Sequence, residues 1–93
     1  MFIVILKLDI HIPASNSLKH KRMILNSLKG KLRNNFNISV SEVGELDKWQ
    51  RATIAISHVA IKKTDADKTV DKILNFINTF NGVELLTQEV ETL

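Results

Sequence analysis

The sequence predicts an α+β fold laid out in the order βαββαβ. Three observations carry the prediction. The N-terminal run is β-branched and alternates apolar and polar residues from Leu6. Two longer segments repeat their apolar residues with helical period, each after a strand-like segment. Breaks fall at Pro13, Gly44 and Asn81-Gly82, where the chain must turn.

The first strand covers residues 2–12. Leu6, Leu8, Ile10 and Ile12 share one face, and Lys7, Asp9 and His11 share the other. Pro13 ends it, because proline fixes φ and offers no N–H to a ladder. Residues 14–16 make a short turn. Ser17 is a suitable N-cap, and the first helix is expected from Leu18 to Asn35.

Ile38 and Val40 alternate with Ser39 and Ser41 in a second strand that closes near Gly44. Residues 45–50 form a hairpin-like connection. The third strand alternates Ala52, Ile54 and Ile56 with Arg51, Thr53, Ala55 and Ser57, and runs to about Ile61. A second helix starts at Thr64, with Asp65 and Asp67 where the macrodipole favours acids. Its apolar stripe is Ala66, Val70, Ile73, Leu74, Ile77 and Phe80. Residues 83–90 make the fourth strand. Two split βαβ units give a four-stranded antiparallel sheet with both helices on one face, the ferredoxin-like sandwich.

The whole chain, residues 1–93, reads as one domain, and its 44% of hydrophobic residues suffices for one core. Cysteine is absent, which excludes a disulfide framework, a zinc-thiolate site and a cysteine nucleophile. The three histidines are scattered, and no metal set or cofactor motif emerges. The opening FIVIL run breaks at Lys7, lacks a basic segment before it, and is far too short to span a bilayer. A soluble, unprocessed, cytoplasmic protein with no membrane partner is expected.

Charge is unevenly placed. Residues 1–46 carry seven Lys or Arg against three acids, and residues 47–93 carry six against seven. On a helical wheel, Leu18, Ile24, Leu25, Leu28, Leu32 and Phe36 form the sheet-facing arc. Lys19, Arg22, Lys29 and Arg33 fall together beside it, as a stripe about 21 Å long at 1.5 Å rise per residue. Lys21 points into the apolar arc; its stem should be covered while its amine reaches towards the helix start as a phosphate clamp.

A solvated face is the plain explanation of such a stripe, but two of its features cost folding energy. Like charges at i,i+4, as at Lys29 and Arg33, cost about 0.2–0.5 kcal/mol per pair. Lys19, Lys21 and Arg22 crowd the helix N-terminus, where the dipole disfavours cations and free N–H groups suit phosphate. Ser17-Leu18-Lys19-His20 has the spacing of a capping box, with His20 where a glutamate or glutamine would reach back.

Ser17-Leu18-Lys19-x-Lys21-Arg22, Leu25-x-x-Leu28, Leu32-Arg33-x-x-Phe36-Asn37, Ser39-Val40-x-Glu42-Val43 and Asp47-x-Trp49-Gln50-Arg51-Ala52 together resemble the YlxP-like family. These are small bacterial proteins of unknown function. The resemblance covers about the first sixty residues in register. It implies a ferredoxin-like fold, and a gene neighbourhood of translation initiation and ribosome maturation. His20 departs from the family pattern, which commonly has an acid there.

Other chemistries find less support. The open sheet face would carry Lys7, Asp9, His11, Arg51, Thr53, Ala55 and Ser57, without the aromatics that RNA-recognition sheets use to stack bases. Asp9-x-His11 on a strand is a weak catalytic signal, and Gly30, Gly44 and Gly82 are too isolated to cradle a phosphate. No small-molecule substrate suggests itself, and a non-catalytic protein is expected. The leading expectation is an adaptor that binds structured RNA, ribosomal RNA or a ribosome-associated partner, by backbone contacts. Lys19, Lys21, Arg22, Lys29 and Arg33 would form the main contact, with Trp49 and Arg51 auxiliary. The alternative is a homodimer or protein-interaction module that uses the open sheet face, where Ile3 and Ile5 precede the polar residues, or the edge of the fourth strand.

Overall fold

The structure is a computed structural model that describes residues 1–93. Strand β1 spans Phe2–His11, helix α1 Leu18–Asn35, strand β2 Ser39–Gly44, strand β3 Arg51–Ala60, helix α2 Lys63–Asn78 and strand β4 Glu84–Thr92. The strands form one antiparallel sheet in the order β2-β3-β1-β4, so the ferredoxin-like α+β sandwich is the observed fold.

Alternation in β1 decides which face is covered. Val4, Leu6, Leu8, Ile10 and Ile12 are buried, and they meet Ala52, Ile54 and Ile56 from β3. Leu25, Leu28 and Leu32 of α1 and Ala66, Val70, Ile73 and Ile77 of α2 close the same core from the helical side. Phe76 bridges the helices, with edge-on contact to Phe36 at 6.0 Å and a tilted contact to Phe80 at 6.3 Å. Burial of this quality is what stabilises a domain of this size.

Two bulges shape the edges. In β4, Leu85 pairs with Ile10 and Thr87 with Asp9, so Leu86 is the extra residue. In β2, Glu42 pairs with Ile54 and Gly44 with Thr53, so Val43 is extra. A Cβ at Gly44 would stand 3.1 Å from Thr53 Cβ, a tight approach that the threonine would have to yield to by a few tenths of an ångström. The boundaries of α1 coincide with the expected ones. Strand β4 runs on to Thr92, because pairing with the start of β1 continues beyond the apolar stretch that marks it in the sequence. No helix is long and apolar enough to cross a membrane.

Candidate nucleic-acid interface

The start of α1 is built by a side-chain exchange. Ser17 Oγ accepts from the His20 backbone N–H at 3.0 Å, the expected cap. His20 reaches back with Nδ1, which accepts from the Asn16 backbone N–H at 3.3 Å. The imidazole thus takes the place of the missing carboxylate in the box, one residue earlier than a glutamate would bond, and adds no negative charge. The first turn contains no acid, and Arg33 lies in the last turn.

The stripe residues face outwards. Lys19, Arg22 and Arg33 are exposed and Lys29 is half-buried. The chain makes four ion pairs, and none involves these residues. Arg33 Nη2 donates to the Val40 carbonyl at 3.1 Å, which places this flank of the helix beside β2. Glu84, Glu89 and Glu91 lie on β4, at the opposite edge of the sheet from β2, so they do not cover the stripe. Glu84 instead meets His11 Nδ1 at 3.1 Å.

Lys21 is placed differently from the clamp expected of it. It is 1% exposed, and its Nζ lies 2.8 Å from Glu42 Oε2. The ammonium also donates to the carbonyls of Glu45 at 3.0 Å, Arg51 at 3.2 Å and, at the limit of a hydrogen bond, Leu46 at 3.5 Å. Three protons face three carbonyls, with the Glu42 carboxylate in ion-pair contact beside them, so nothing is left for an outside phosphate. The wheel position was informative, but the destination of the amine was not visible from it. Glu42 lies on the helix-facing side of β2, in line with Val40, and supplies a half-buried charge that a snorkelling amine would never meet.

This ammonium ties the loop between β2 and β3 to the first turns of α1. Gln50 fastens the same loop to the turn after β1, as its Nε2 donates to the carbonyls of Pro13 and Ser15. Trp49 is 56% exposed and closes no part of the core. It therefore stands on an anchored loop beside the helix start. Arg51 goes elsewhere: its side chain shares the open sheet face with its β1 partner His11. It forms no ion pair with Glu42, Glu45 or Asp47, and Lys48 takes the Glu45 carboxylate at 2.7 Å. Arg51 Nε is buried without an acceptor. The structure thus leaves Lys19, Arg22, Lys29 and Arg33 on α1 without an acid partner, sets Trp49 on the loop tied to the first turns of α1, and places Lys21 inside and Arg51 on the open sheet face.

One polar cluster was not legible as such in the sequence. Thr53 Oγ1 donates to Asp9 Oδ1 at 2.6 Å, and Thr87 Oγ1 donates to Asp9 Oδ2 at 3.0 Å. The Thr53 bond above all, then the Thr87 bond and the charges of Arg51 and Lys7, hold the Asp9 carboxyl below its ordinary value of 3.8, against partial desolvation. An ionised aspartate with a hydroxyl donor on each oxygen is a brace across β3, β1 and β4. His11 bonds to Glu84 rather than to Asp9. The only hint was the shared parity of Asp9 and Thr53; the partnership with Thr87 depends on the β4 bulge.

Comparison with known proteins agrees with this fold. Residues 3–90 match the family model described as "Protein of unknown function (DUF503)". The chain is 36% identical over 70 residues to "Uncharacterized protein YlxP" of Bacillus subtilis (strain 168), across 75% of this chain and 76% of that protein. Among solved structures, "De novo designed protein Foldit4" superposes with a TM-score of 0.54 over 98% of this chain and 96% of its own, at 17% identity. That likeness is one of fold alone.

Proposed function

The chain belongs to the DUF503 family of proteins of unknown function, and we propose that it is a non-catalytic adaptor that grips the backbone of structured RNA with the flank of α1. The observation that supports this most is the set of unpaired cations. Lys19, Arg22, Lys29 and Arg33 share one flank and have no acid within ion-pair distance. Such a flank is slightly destabilising in isolation. A polyanion removes the repulsion and releases its own counterions on binding.

The details fit backbone contact rather than base reading. Arginine and lysine on a helix flank position a protein on phosphates but carry no sequence information. The sheet offers no aromatic for stacking, whereas Trp49, beside the helix start, can stack on one unpaired base. Choice of RNA among polyanions follows the gene neighbourhood that the family resemblance implies.

The experiment is a titration of a labelled, structured ribosomal RNA fragment with wild-type protein and with the Arg22→Ala/Arg33→Ala double variant. Both positions are exposed, but Arg33→Ala also removes the bond to the Val40 carbonyl, so circular dichroism first establishes that the variant is folded. Loss of two phosphate contacts should weaken binding by at least about tenfold at low salt. Equal affinity of the two proteins, or no binding by either, would remove the proposal.

A further inference from the structure

The sheet face turned away from the helices is apolar at one end. Ile3 and Ile5 of β1 lie beside Val59 of β3, which is 55% exposed, and Leu93 after β4, which is 62% exposed. Met1 and Ile61 extend the same end, exposed at 83% and 86%. Such a contiguous patch is an interface signal, whereas single exposed apolar residues are not. From this patch and the cross-strand rows around it, we infer that the open sheet face is a homodimer interface, formed with a second copy of this chain about a two-fold axis parallel to the strands.

The rows make the face complementary to itself. One row across the sheet reads Glu91, Ile5, Ser57, Ser39 from β4 to β2; the next reads Glu89, Lys7, Ala55, Ser41. A two-fold axis between β1 and β3 reverses each row upon its copy. Ile3 then faces Val59, Ile5 faces Ser57, and Lys7 faces the small Ala55. Glu89 and Glu91 face the hydroxyls of Ser41 and Ser39, which can donate to them. No like charges are opposed in these rows, and the apolar ends coincide. An axis across the strands would set the apolar end against Asp9, His11 and Arg51, and is excluded by the same rows.

The area agrees with this. Strands of ten, ten, nine and six residues at about 3.4 Å rise and about 4.8 Å spacing present roughly 570 Å² per copy. Two such faces, roughly 1,140 Å² in total, clear the about 1,000 Å² expected of a biological interface. The helices stay outside, so the α1 flanks of both copies remain free.

Sedimentation equilibrium over a micromolar to sub-millimolar range tests the inference. Wild type should approach twice 10.5 kDa, and Val59→Glu should weaken association by about a hundredfold through a buried charge. Ser41→Glu should also weaken it, by opposing Glu89 of the second copy, and Ser41→Glu/Glu89→Lys should restore it. Circular dichroism establishes that each variant is folded. The Arg22→Ala/Arg33→Ala variant should dimerise like wild type, so failure of RNA binding and failure of dimerisation are read separately. A wild-type monomer throughout, association indifferent to Val59→Glu, or no rescue by the charge pair would each overturn the inference.

Discussion

Lys21 Nζ and Glu42 Oε2 lie 2.8 Å apart beneath α1, with the lysine 1% and the glutamate 17% exposed. Removal of one partner leaves a charge and backbone carbonyls without compensation. Breaking such a pair from one side costs about 3–5 kcal/mol. Lys21→Met should therefore lower stability by about that amount in urea denaturation, although methionine fills a similar volume. Lys21→Met/Glu42→Leu should recover only part of the loss, because the carbonyls of Glu45 and Arg51 stay unpaired. A Lys21→Met variant as stable as wild type would contradict the structural role.

The Asp9 brace gives a dependence on pH. Its folded value is depressed below 3.8, chiefly by the Thr53 hydroxyl. The stabilisation is therefore complete above the ordinary aspartate range and is lost as pH falls through the lowered value. Thermal melts of wild type and Asp9→Asn should differ at neutral pH and converge in strong acid. Thr53→Val should move the Asp9 carboxyl titration upwards, as followed by NMR. A Thr53→Val titration that coincides with wild type would sink this account.

Two glycines with open space around them should respond in opposite directions. Gly30 sits inside α1 and Gly82 has φ of +91°; at neither would a new Cβ come within 4 Å of an atom beyond its immediate chain surroundings. Gly30→Ala should stabilise by about 0.5–1 kcal/mol, through helix propensity. Gly82→Ala should destabilise by about 1 kcal/mol or more, because an L side chain resists that backbone region. Paired denaturation curves decide it, and shifts of the same sign would contradict the assigned backbone geometry.

The fold was legible because its signals are local. Alternation in β1, Ser17 before α1, and Asn81-Gly82 after α2 each act within a few residues, and the antiparallel order follows from them. The direction of the cationic flank was legible for the same reason, since a helix has one period. Lys21 shows where that ends: a wheel places its Cβ, but its ammonium is claimed by Glu42 and by carbonyls up to 30 residues away in sequence. Asp9 is similar. Its partners Thr53 and Thr87 come from two other strands, and a bulge at Leu86 sets which β4 residue arrives. Arg51 was grouped with Trp49 by proximity in sequence, but a residue that enters a strand inherits that strand's face.

The proposal as a whole rests on the cations of α1 that lack an acid partner, and the salt dependence of RNA binding tests it most directly. With four phosphate contacts, affinity for a structured ribosomal RNA fragment should fall about 50- to 150-fold between about 50 mM and 200 mM salt. The log–log slope should be shallower by about two for Arg22→Ala/Arg33→Ala. Binding that is insensitive to salt, or a slope unchanged in the double variant, would contradict it.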